Sequence, residues 1–207
     1  MIVEITQLLI FGRKKTIQHN IEGMGVTELY GGAITTYIPD GFLDASMLRE
    51  VPDTQEVFVN SRQDAEAAQA EDGLGTNESV IVDLLQRVEA KDDDSALQVH
   101  LEDITALNGG DGFEILRKEK QSDGSITCVL AESAYKWGKK ELKETLVICL
   151  ALKRLVDVET DVVMSINVPL VASELQDNKL PDRVEASYKI LLEMTKQFRI
   201  VDNSLFA

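Results

Sequence analysis

The chain has 207 residues, 44% of them hydrophobic, enough for one domain with a substantial core. Lysine and arginine total 21 against 36 aspartates and glutamates, a formal charge of -15 that repels phosphate backbones and anionic lipid. That balance argues against unassisted nucleic-acid or membrane binding and favours a basic protein partner, with simple solubility as the alternative reason for the acidity.

At the N-terminus the apolar run from Ile2 to Phe11 contains Glu4 and precedes Arg13, Lys14 and Lys15. This inverts the charge order of a secretory signal, no small-residue cleavage site follows, and the run is far short of the ~20 apolar residues that span a bilayer. From residue 27 the pattern becomes strand-like. Gly31 and Gly32 break it before Ala33 to Ile38, and Pro39-Asp40-Gly41 closes it. Asp44-Ala45-Ser46 is suited to capping a short helical turn through Leu48, Pro52-Asp53 is turn chemistry, and Glu56 to Val59 resumes as a strand. Residues 61 to 75 are small and polar, which predicts an exposed, mobile loop with some helical character.

Asn77 is placed to cap a helix with Ile81, Leu84, Leu85 and Val88 along one stripe. A second helix starts near Asp93, Asp94 or Ser95, turns Leu97, Leu101, Ile104 and Leu107 inward, and ends at Asn108-Gly109-Gly110. A strand pair follows over 113–116 and 127–134, joined across Ser122 to Ser125. Thr145 to Leu155 is apolar on both alternating sets, as in a central strand covered on both faces. Between Val158 and Val168, Val158, Thr160, Val162, Met164, Ile166 and Val168 share one face, while Glu159, Asp161, Ser165 and Asn167 populate the other, which predicts a half-exposed strand. A last helix over 182–198 packs through Val184, Tyr188, Leu191, Leu192 and Thr195. These pieces predict an α+β fold: an α/β/α sandwich with a largely antiparallel central sheet flanked by helices.

Few residues are equipped for covalent chemistry. GLGTNES and GGAITT lack the lysine of a phosphate-binding loop, and Gly23-Met24-Gly25 is only a fragment of a dinucleotide fingerprint. With two histidines, His19 and His100, hydrolytic triads and zinc sites are short of parts, and no cofactor or metal is expected. His100 reads as an edge-of-core residue satisfied locally. The rival reading is a hydrolase in which it works with Glu102 or Asp103. Cys128 and Cys149 lie in apolar runs and read as small buried hydrophobes, a disulfide between neighbouring strands being the alternative. Trp137, near Lys139 and Lys140, reads either as a contact residue or as a strand-end anchor.

The most informative stretch runs from Glu28 to Val59, ELYGGAITTYIPDGFLDASMLREVPDTQEVFV. Asp40, Asp44, Glu50, Asp53 and Glu56 stand there against the single base Arg49, with no nucleophile-base pair among them. The words LYGGAI, DAS, LR and VPDTQEVF occur in order. They resemble the Ran guanine nucleotide release factors, the Mog-type nuclear import proteins. NESVIVDLLQRVE, the pattern from His100 to Asn108, TLVICLALKRL, TDVVMSINVPL and the terminal VDNSLFA extend the likeness over 27–207. Residues 1–26, unmatched, are then a variable N-terminal extension.

The resemblance implies a fold shared with the PsbP proteins of photosystem II, a nuclear location with a cytoplasmic pool, and a non-enzymatic role. Its implied partner is the Ran GTPase, whose nucleotide release the protein promotes in nuclear import, with a second Ran-binding protein as a further partner. It also implies that Asp53 and Glu56 belong to an acidic Ran-binding cluster, with Asp44, Arg49 and Glu50 as neighbours and Phe42 and Leu48 adding apolar contact. The alternatives are that Asp53 only shapes its turn and Glu56 only starts a strand, or that the chain is a PsbP-like scaffold without release activity.

Overall fold

The computed structural model describes residues 25–135, 143–171, 174 and 180–206. The expectations for the N-terminal run, His19, Trp137, Lys139 and Lys140 lie outside the described residues. Of the 1–26 extension only Gly25 and Val26 are described, and Val26 opens the first strand.

The first two strands, β1 (Val26–Leu29) and β2 (Ile34–Tyr37), form a hairpin across a short 3-10 turn at Tyr30–Gly32. With the late strand β10 (Arg199–Ile200) they make a small antiparallel sheet. The large sheet is built from β3 (Phe42–Asp44), β4 (Gln55–Asn60), β5 (Ser79–Gln86), β6 (Phe113–Lys120), β7 (Ile126–Tyr135), β8 (Lys143–Leu155) and β9 (Thr160–Leu170). Its order is β3-β4-β5-β9-β8-β7-β6, and every pair is antiparallel. The α-helices among the described residues are α1 (Asp64–Gln69), α2 (Asp93–Leu107) and α3 (Asp182–Gln197).

β8 has apolar side chains on both faces because both faces are covered. On one face Cys149 and Ala151 join Val82, Met164, Ile166, Leu191 and Met194 beneath α3 and the small sheet. On the other, Ile148 and Leu150 join Leu130, Val163, Leu97 and Leu101 beneath α2. Cys128 and Cys149 are buried free thiols, as expected, and burial pushes the Cys128 thiol up to about 12.

Several expectations need correction. The segment after Asn77 is strand β5 and not a helix. Its apolar residues fit a helical stripe only because the strand is covered on both faces near Val80 to Val82, which hides the alternation. The β-branched run Val80-Ile81-Val82 was the better guide. In α2, Leu107 is 70% exposed and does not pack inward. The buried line runs through Leu97, His100, Leu101, Thr105 and Asn108, so Leu107 falls off it.

The 61–75 segment contains α1, exposed along most of its length, but its ends are pinned. Arg62 donates from Nη1 to Asp72 Oδ1 at 3.0 Å and from Nε to the Asp40 carbonyl at 2.9 Å, and Leu74 is buried.

The polar face of β9 is also not half-exposed. Asp161, Ser165 and Asn167 are all buried. Asp161 can be there because it is fully partnered: it accepts from the Val88 amide at 3.0 Å, pairs with His100 Nε2 at 2.9 Å and accepts from Arg154 Nε at 2.9 Å. Burial opposes the charged carboxylate, but these donors together outweigh it and hold Asp161 below the usual carboxylate range. His100 is therefore satisfied by a carboxylate far along the chain, not locally, and it fastens α2 to the sheet.

Two outcomes follow for stability. Leu150→Ala, which opens a cavity in the α2-side core, is expected to cost about 2–5 kcal/mol in a chemical melt, and an unchanged midpoint would contradict its burial. Asp161→Asn removes the buried carboxylate that Arg154 and His100 share, an expected loss of about 3 kcal/mol at neutral pH. Because folding depresses this carboxyl's pKa, its contribution is complete above the unfolded value of about 3.9 and is lost as pH falls through the folded value. Melts across pH 7 to 2 should show the gap between wild type and Asp161→Asn closing at the acid end.

Candidate functional site

The acidic segment lies at the β3 edge of the large sheet, where α2 no longer covers it. Leu43, Ala45, Val51, Val57, Val59 and Ile81 form a small separate core there, so the loop between β3 and β4 seals its own end of the sheet. Asp44 begins the loop as expected: its Oδ1 accepts from the Ser46 amide at 2.8 Å and caps a 3-10 turn over Ala45–Met47. Arg49 through Asp53 then run back to β4, whose first residue is held by a bond from the Gln55 amide to the Pro52 carbonyl at 2.9 Å.

The five implied residues fall into two groups. Ser46, Arg49, Glu50, Val51, Pro52 and Asp53 line a shallow, open groove of about 650 Å³. Glu50 and Asp53 are exposed. Neither forms an ion pair or a side-chain hydrogen bond among the described residues, and Arg49 Nε is buried without a hydrogen-bond partner. Arg49 thus stands beside the acids without neutralising either one through a direct bond.

Glu56 and Asp44 belong to the second group. Asp44 stands opposite Phe58 in the β3–β4 ladder, and Glu56 is two residues from Phe58, so both carboxylates are on the sheet face that carries α3 and the small sheet. Glu56 is only half exposed. Its Oε1 accepts from the Tyr30 amide at 2.6 Å, and no hydrogen bond engages Oε2 among the described residues. Burial, with a smaller contribution from the nearby Asp44 charge, raises the Glu56 pKa against the lowering effect of the Tyr30 amide.

The apolar neighbours also divide. Leu48 is 51% exposed, and Met47, which sequence reasoning passed over, is 59% exposed. Phe42 is not a free contact: it packs against the main core and carries the Arg62 guanidinium 5.7 Å above its ring. Sequence reasoning also missed Tyr30. Its signal was a bulky residue immediately before two glycines, a place where the chain leaves ordinary backbone geometry.

The hydrolase reading finds no assembled site. His100 is buried against Asp161, whereas Glu102 and Asp103 are exposed on the outer side of α2, with Glu102 Oε1 accepting from Gln98 Nε2 at 2.8 Å. Among the described residues, no helix is long and apolar enough to cross a membrane.

Comparison with known proteins gives a consistent result. The family model for the Ran-interacting Mog1 protein matches residues 27–169. The nuclear import protein MOG1 of Saccharomyces cerevisiae is 54% identical over 184 residues, covering 87% of this chain and 84% of that protein. The Ran guanine nucleotide release factor of Danio rerio is 27% identical over 161 residues, covering 72% and 81%. The crystal structure of the Saccharomyces cerevisiae Ran-binding protein Mog1p superposes with a TM-score of 0.80 at 53% identity, covering 88% of this chain and 97% of that one. An antiparallel sheet with helices on both faces, an acidic edge loop and sequence likeness across most of the chain lead to one assignment: this protein belongs to the Mog1 family of Ran-interacting proteins.

Proposed function

We propose that this protein is a nuclear Ran-binding factor that promotes guanine nucleotide release from Ran and thereby supports nuclear protein import, and that it does so by binding and not by covalent chemistry. The relatives supply the partner. The observation that carries the reading of the surface is that Glu50 and Asp53 stand exposed with no cation bonded to either among the described residues, and that Glu56, at the start of β4, has one oxygen without a hydrogen bond among them. Such a surface is complementary to a basic patch on a partner, and its charges favour rapid encounter and correct orientation more than raw affinity. The exposed Met47 and Leu48 add apolar area beside it.

Release demands a difference in affinity. A factor that bound loaded and empty Ran equally would shift nothing, so the surface must fit the nucleotide-free or loosened form better. A preference of ~4 kcal/mol lowers the linked nucleotide affinity roughly a thousandfold. In this reading Asp53 and Glu56 pair with basic groups of Ran and disturb the site that holds phosphate and magnesium, with Asp44, Arg49 and Glu50 shaping the surface around them.

The test follows a fluorescent guanine nucleotide leaving Ran under excess competing nucleotide. Wild type should accelerate release, and a folded protein carrying Asp53→Lys with Glu56→Gln should accelerate it at least about tenfold less, a loss of ~1.4 kcal/mol or more. Ran binding without acceleration by wild type would instead favour a scaffolding role.

A pH dependence follows from the Glu56 environment. Because its pKa is raised, it protonates on acidification before an ordinary glutamate does, so a Ran interaction that uses the charge should weaken earlier in acidification than one made through an ordinary glutamate. Binding measured from pH 7.5 downward should lose this step in Glu56→Gln. A step that persists in the variant would belong to another group.

A further inference from the structure

We propose that Tyr30 is the positioning residue of the acidic surface, holding Glu56 by its backbone amide and the turn that carries Asp53 by its phenol; this rests on the reading of those carboxylates as the Ran-facing groups.

Two donors of this one residue, its amide and the single proton of its phenol, reach three acceptors. The Tyr30 amide donates to Glu56 Oε1 at 2.6 Å. The phenol donates to the Val82 carbonyl at 2.8 Å, and Val82 is the residue directly across the ladder from Glu56. It also approaches the Thr54 carbonyl at 3.1 Å, and Thr54 immediately follows Asp53. That carbonyl accepts from the Leu84 amide at 2.9 Å as well, so the turn is tied to β5 and to Tyr30 together.

The backbone around Tyr30 is shaped for this task. Tyr30 has φ of 51°, a left-handed conformation that side chains larger than glycine rarely adopt, and Gly31 and Gly32 continue with φ of 65° and 94°. Leu29, the last residue of β1 to pair with β2, is extended at φ -122° and ψ 154°, so the Tyr30 amide emerges just past the end of the ladder, where its bond goes to Glu56. The phenol is a dependable donor, since burial and the neighbouring Asp83 and Glu56 charges keep it protonated. Asp83 is itself fixed by Gln55 Nε2 at 2.6 Å.

Tyr30 therefore ties the small sheet to β4 and β5 at Glu56, next to the end of the turn that carries Asp53. Glu56 is held in one rotamer before any partner arrives, and the Asp53 turn is set relative to it, so less freedom is lost on binding.

The first measurement needs no variant: amide NMR of the nitrogen-15-labelled protein, alone and with Ran. The Tyr30 amide proton is expected to lie downfield, to move with the titration of Glu56 and to shift again when Ran binds. A Tyr30 amide that ignores the Glu56 titration would overturn the proposal.

The second uses Tyr30→Phe, which keeps the ring and the amide but removes the phenol proton shared by the Val82 and Thr54 carbonyls. This variant should keep a cooperative melt and reduce acceleration of nucleotide release by about fivefold. Combined with Asp53→Asn, the loss should be smaller than the product of the two single losses. Full acceleration by folded Tyr30→Phe, with Glu56→Gln impaired, would sink the positioning role and leave the site intact. Full acceleration by both Glu56→Gln and Asp53→Asn would sink the reading of the site, and the positioning role with it.

Discussion

The central strands β5, β9 and β8 are buried on both faces along much of their length, and the rest of the molecule is arranged to satisfy them. A sheet of this kind has to be covered twice, so α3 with the small sheet takes one face and α2 takes the other. Neither cover reaches fully to β3. There the protein uses its own loop, dropping Ala45 and Val51 onto Val57, Val59 and Ile81. The loop that closes the core is also the loop that carries Asp44, Arg49, Glu50 and Asp53. Its shape is thus set by burial on its inner side, which leaves its outer side free for charge.

The distribution of charge follows the same division. Arginines are largely consumed inside the fold. Arg154 serves Asp161, Arg183 bridges buried Glu78 and the more exposed Glu174, Arg62 binds Asp72, and Arg117 binds Glu185 at 2.6 Å. The buried pairs among these, Arg154 with Asp161 and Arg183 with Glu78, add little net stability because desolvation offsets attraction, but removing one partner is costly. With 36 acids and 21 bases, pairing the bases internally leaves surplus carboxylates at the surface. Those on the β3–β4 loop are held in a defined arrangement instead of being scattered along a flexible tail.

Much of the fold was legible in the sequence. The break at Gly31-Gly32, the Asp44 cap, β8 and the terminal helix all announced themselves through local rules: glycine geometry, a capping side chain, two-sided apolarity and helical spacing, although that the break is a hairpin turn was seen only in the structure. The failures at β5 and β9 have a common cause. Periodicity assumes one wet face, and neither strand has one along most of its length. Asp161 looked like a surface residue because its three donors come from three other places in the chain, Val88, His100 and Arg154.

At the acidic surface the sequence by itself determined the ingredients: the order LYGG…DAS…VPDTQE, the excess of carboxylates over a single arginine, and the family to which those words belong. Tertiary structure alone decided that Asp53 and Glu50 share a groove while Glu56 turns to the other face of the sheet, and that Tyr30, 26 residues before Glu56, fixes its rotamer. The physical reason is the range of the interactions. Turns, caps and charge counts are written in neighbouring residues, whereas the face a strand presents and the amide a carboxylate finds depend on which distant segment is packed beside it.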